Sequence, residues 1–216
     1  MCRVICSKWV KKIILFLSGI NYLHLKSNNL LYIQIVVSMI EHEVIHWSDE
    51  TLLNVSNFMA EPNPGIFEDS HSVIKYGFTW IVNSEQLDKK VVFSIENIQL
   101  SVEFNPLLSW IRMSELNDDL LKHEQGHFDL AEIIKRQHQK IFENEFYNKH
   151  FPTRGQNDAQ RKQFAKEDSG KMISSEVEKL NLYLNKKRDE YDEETEYGKN
   201  ISEQKKYDEI FNKLHK

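Results

Sequence analysis

The chain has 216 residues, a net charge of −5 and only two cysteines, Cys2 and Cys6, both at its N-terminal end. The acidic balance excludes a nucleic-acid binder that relies on bulk positive charge. The cysteine count excludes a disulfide scaffold and a cysteine-based zinc site in the main body, so any metal there must be held by His, Asp, Glu or Tyr.

Residues 1–43 read as an apolar segment apart from a domain at 44–216. Arg3, Lys8, Lys11 and Lys12 precede an apolar run at 13–20, and 30–40 is apolar again. Neither run reaches the ~20 apolar residues that a membrane-spanning helix needs. A basic start before a short apolar run resembles a secretion signal or N-terminal membrane anchor, which predicts a secreted, periplasmic or cell-envelope protein. No Ala-x-Ala cleavage site follows, and a translation start at Met39 would instead predict a cytoplasmic one.

From about Val44 to Trp110 the pattern is strand-like. Ile98, Leu100, Val102 and Phe104 alternate with Gln99, Ser101 and Glu103, and Phe93 and Ile95 extend the same face across Asn97. Residues 73–82 are rich in β-branched and aromatic side chains and read as another strand, with Gly77 as a bulge. From Ser114 the chain turns helical. Ser114 and Asn117 are candidate N-caps, Asp118 and Asp119 suit a helix N-terminus, and the helix runs to about Tyr147. A break at 152–158 and a polar helix or loop at 159–170 precede a second long helix, 173–195, ended by Gly198 in the left-handed conformation. A last amphipathic helix places Tyr207, Ile210, Phe211 and Leu214 on one side. An antiparallel or mixed sheet followed by long helices is an α+β pattern.

The string His-Glu-x-x-His occurs at 42–46 and at 123–127. On a helix, histidines at i and i+4 share a face and can reach one zinc ion, and the intervening Glu stands beside them as a general base. Residues 42–46 contain strand formers and fit this poorly. Around His123 the residues Leu116, Leu120, His127, Ala131 and Ile134 fall on one helical stripe, so both histidines face inward and Glu124 lies at the stripe's edge. Gln125 points outward, Gly126 predicts close packing of another segment, and His138 is read as structural.

At residues 120–132, LLKHEQGHFDLAE, the chain resembles domain-of-unknown-function family 922, a bacterial group of secreted zinc-dependent proteases with an HEQGHFD motif. Trp47, Phe58, Phe104, Ser109-Trp110 and the tract 191–198 fit the same order. The resemblance implies a zincin-like metallohydrolase with a Zn²⁺ cofactor, acting on a peptide or protein substrate and not on nucleic acid. Tyr197 stands where the group has His.

The third metal ligand is open between Asp192, Glu194 and Tyr197. Asp192 flanks the apolar stripe Ile173, Val177, Leu180, Leu184, Tyr191 and Thr195 and is the first choice; Glu194 flanks its other side. If Glu194 were the ligand, Tyr197 would donate a hydrogen bond to an oxyanion. The expected activity is peptide hydrolysis through a metal-activated water, with His123, His127 and Asp192 as metal ligands, Glu124 as base and Tyr197 as a catalytic candidate. The alternative is a non-catalytic, partner-binding protein of the same fold that has lost its third ligand. A peptide substrate is expected to add a strand along the edge at 98–104.

Overall fold

The computed structural model describes residues 44–87 and 90–215. The readings made of the N-terminal segment, of Met39 and of His42 fall outside these residues. Within them lie six strands: β1 Ile45–His46, β2 Ser70–His71, β3 Ile74–Leu87, β4 Lys90–Phe104, β5 Trp110–Ile111 and β6 Phe151–Pro152. Three α-helices accompany them: α1 Asp118–Phe146, α2 Asp158–Thr195 and α3 Ile201–Phe211. The architecture is α+β with an antiparallel sheet. None of the described helices is long and apolar enough to cross a membrane.

The sheet is organised around β4. β3 pairs with it from Ile74 opposite Phe104 to Leu87 opposite Lys90, while β1 and β6 pair with the two ends of its other side. β2 and β5 form a separate two-stranded pair. Thr79 faces Gln99 and Ile81 faces Glu96, so Asn97 and Ile98 together oppose the single Trp80. Asn97 takes the extra position with φ 49, a left-handed conformation that Asn tolerates. The inserted residue resets the side-chain parity. Phe93 and Ile95 before it, and Ile98, Leu100, Val102 and Phe104 after it, are therefore all buried on one face. The bulge does not involve Gly77, which pairs regularly with Ser101. Glycine leaves room there for another reason: a Cβ would meet the Glu103 carboxylate and the Ser101 hydroxyl, which would have to move aside.

The stretch 98–104 is not a free edge. The Ile98 N–H donates to Tyr147 Oη at 2.8 Å and its carbonyl accepts from Gln139 Nε2 at 3.0 Å. The Val102 carbonyl accepts from the Trp47 N–H at 3.0 Å, and Glu103 and Phe104 pair with β1. A substrate strand has no ladder to join at these positions.

Asn117, not Ser114, caps α1: its Oδ1 accepts from the Leu120 N–H at 2.8 Å. Phe128, Ala131, Ile134, Phe142 and Phe146 of this helix pack on the sheet together with Ile173, Val177, Leu180 and Leu184 of α2. α2 is one 38-residue helix capped by Asn157, which corrects the separate element expected at 159–170. Composition there is polar, but Ala165 and Ser169 are buried and Trp80 Nε1 donates to Ser169 Oγ at 2.9 Å. Tertiary contact with β3 thus decides the conformation. At the other end Glu196 (φ 50) and Tyr197 (φ 56) are already left-handed before Gly198 (φ 82). α3 buries Gln204, Asp208 and Phe211; Ile210 is exposed and Leu214 lies beyond the helix. Its inner face is more polar than expected because Asp208 pairs with Lys122 at 2.5 Å and Gln204 faces α1.

Gly126 lies where α1 meets α2, and a Cβ on it would run into the Tyr191 hydroxyl. Gly126→Ala is expected to lower stability by about 1–3 kcal/mol in spite of alanine's better helix propensity. Thermal or urea denaturation checks this; a stabilised variant would show that the contact yields without cost.

Candidate metal centre

The i, i+4 spacing on α1 puts His123 and His127 on one face, both buried, with ring centroids 4.8 Å apart. α2 crosses this face. Its Tyr191 is fully buried and stacks on the His123 ring at 4.6 Å, with its hydroxyl fitted over Gly126. Packing of Tyr191 fixes the rotation of α2 and turns the next side chain, Asp192, toward the histidines. Asp192 Oδ1 lies 3.0 Å from Nε2 of both His123 and His127. The donor atoms of these three residues all fall within 4.8 Å of one another, and the group could hold a metal ion.

Electrostatics favours a ligand-ready carboxylate. Burial pushes the Asp192 pKa up, but the hydrogen bonds and charge of the two imidazoles outweigh it and hold the carboxyl well below the usual range. His127 shifts down because it is buried and because Arg188 stands beside it, against the opposing pull of Asp192. It is therefore neutral, the form that binds metal.

The surroundings orient His123. Gln204 Nε2 donates to the Asp208 carboxylate at 2.9 Å, which fixes the amide so that Oε1 lies 3.1 Å from His123 Nδ1. An acceptor at Nδ1 favours the tautomer with its proton there and its lone pair on Nε2. Nε2 then offers its lone pair toward Asp192 Oδ1, 3.0 Å away, and a cation between the two, a proton or a metal ion in its place, completes the contact. The donor set fits a metal on this observation. Gln204 was not singled out from sequence, though its place with Tyr207, Asp208 and Phe211 on one face of α3 carried the signal.

Glu124 is buried, and its carboxylate accepts from Ser70 Oγ at 2.5 Å and from Ser72 Oγ. Both serines escaped sequence reading because Ser70 lies in a two-residue strand, with no period to detect, and Ser72 follows it outside any element. Glu124, the two histidines and Asp192 line one cavity of about 380 Å³ with residues 68–72, Leu120, Asn185, Arg188, Asp189 and Tyr197.

Tyr197 is 53% exposed and lines the cavity. Glu194 accepts from Tyr207 Oη at 2.7 Å and stays outside the donor group. His46 is exposed on β1, and His138 Nδ1 lies 2.8 Å from the Ile134 carbonyl of its own helix. Gln125 does not point outward. It is half-buried, accepts from the Leu53 N–H at 2.7 Å and donates to Asp129 at 3.0 Å, tying α1 to the segment after β1. No family model, curated protein or solved structure matches the chain.

Proposed function

We propose that the chain is a zinc-dependent peptidase of zincin-like type. One observation carries this reading: Asp192 Oδ1 stands 3.0 Å from Nε2 of both members of an i, i+4 histidine pair, with Glu124 in the same cavity. Two imidazoles and a carboxylate are a donor set suited to zinc, with one position left for water or substrate. A zinc ion held there would lower the pKa of a water toward ~7 and polarise a substrate carbonyl. The resemblance of residues 120–132 to family 922 supports the same reading and extends it to a secreted or envelope protein.

The chain's own residues divide the remaining work. Glu124 takes the proton of the attacking water as the new C–O bond forms and the carbonyl π electrons move to oxygen. It then delivers that proton to the amine as the C–N bond breaks. Ser70 and Ser72 hold the carboxylate in place for both transfers, so the base needs no reorganisation between them. β2 pairs with β5 on one side, and residues 68–72 line the cavity. These features support an extended peptide running along 68–72 rather than along 98–104.

The partner-binding alternative starts from a missing third ligand. Asp192 stands in that position, which favours the peptidase. The test is hydrolysis of casein by the full chain loaded with zinc. Activity lost to a chelator and restored by zinc is expected. A fully loaded protein that cleaves neither casein nor a mixed peptide library would overturn the reading and favour the partner-binding one.

A further inference from the structure

Arg188 occupies an unusual place among the described arginines. Arg112 donates to the backbone carbonyls of Asn63, Ile66 and Glu68. Arg136, Arg154 and Arg161 donate to the carboxylates of Glu132, Asp168 and Asp158. Arg188 reaches no oxygen: among the described residues its one hydrogen bond runs from Nε to His127 Nδ1, at 3.3 Å. It lies one helical turn before Asp192 on α2 and lines the same cavity.

A guanidinium carries five N–H donors and is always charged, so it seeks an oxygen acceptor. The contact with His127 cannot serve when that histidine binds a metal through Nε2. The imidazole proton then sits on Nδ1, and two donors face each other. In that state Arg188 has no hydrogen-bond partner among the described residues and stands as a second positive charge beside a cation. The cavity already carries the carboxylates of Glu68, Asp69, Glu124, Asp189 and Asp192, but none of them is hydrogen-bonded to the guanidinium, whose donors therefore stay open to an oxygen entering the cavity. Such a group contributes little to binding a neutral peptide and much to the state in which the carbonyl oxygen becomes anionic.

On this basis, and resting on the peptidase reading, we infer that Arg188 is a catalytic residue that donates to the developing oxyanion of the substrate carbonyl. It takes the role that sequence reading considered for Tyr197, whose side chain is half exposed and makes no hydrogen bond among the described residues.

The test compares wild type, Arg188→Gln and Arg188→Ala as full chains loaded with zinc. Both variants should lower kcat by about 10²–10³-fold with KM changed only a few-fold. Added guanidinium ion should restore part of the Arg188→Ala rate and leave wild type unaffected. Zinc affinity, titrated separately, should be unchanged or tighter because a neighbouring charge is gone. A second arm needs no hydrolysis: inorganic phosphate should bind the loaded wild type at least about 10-fold more tightly than either variant. If wild type cleaves nothing but phosphate binding still depends on Arg188, the anion site stands and the peptidase reading fails. Wild-type kcat in both variants, zinc lost from both, or phosphate binding indifferent to Arg188 would each overturn the assignment.

Discussion

Asp192→Ala is expected to lose zinc: its affinity should fall by about 10²-fold or more, while Glu194→Ala and Tyr197→Phe keep the wild-type content. The expectation follows from three distances. Asp192 Oδ1 is 3.0 Å from each histidine Nε2, whereas Glu194 is engaged by Tyr207 Oη at 2.7 Å on another face of the helix. Removing Asp192 leaves two imidazoles, and two neutral donors without a carboxylate hold a dication weakly. Deletion is expected to disturb folding little, because Asp192 flanks the buried stripe and is not part of it; Tyr191 and Thr195 supply that packing. Isothermal titration with zinc on the three variants measures the difference. Zinc lost from Glu194→Ala and retained by Asp192→Ala would reverse the ligand assignment.

Glu124→Gln is expected to separate binding from chemistry. Glutamine keeps the length of the side chain; its oxygen accepts from one of the Ser70 and Ser72 hydroxyls and its amide donates to the other, so the cavity and the zinc content should persist. The amide cannot accept a water proton or carry it to the leaving amine. Hydrolysis should fall by about 10²–10⁴-fold with zinc near the wild-type level. Wild-type activity in this variant would remove Glu124 as the base. Loss of zinc would instead mean that the carboxylate acts through the metal site.

What sequence could and could not reveal follows from the range of the forces involved. The strand 98–104 and the His123–His127 pair were legible because each depends on a local period, 2.0 on a strand and 3.6 on a helix. The common face of Phe93, Ile95 and Ile98 was legible too, although a bulge at Asn97 was needed to keep it. Asp192 could be placed beside a buried stripe by the same helical geometry. The group that α1 and α2 form is a tertiary event, set by Tyr191 stacking on His123 across 68 residues of chain. Residues 159–170 looked separable from the next helix because their polarity dominates any local count. Ser169 meeting Trp80 Nε1 outweighs it. Ser70, Ser72 and Arg188 were invisible for a related reason: each acquires its role from a partner more than 50 residues away, and none stands in a pattern of its own.

The proposed peptidase requires that His123, His127 and Asp192 together hold one zinc ion. The most direct measurement is zinc content per chain in the purified full-length protein, by elemental analysis after dialysis, with X-ray absorption to report the donor atoms. About one zinc per chain is expected, with two imidazole nitrogens and carboxylate oxygen around it. A protein that stays metal-free when zinc is offered at micromolar concentration, with a denaturation midpoint indifferent to zinc and to chelator, would contradict it.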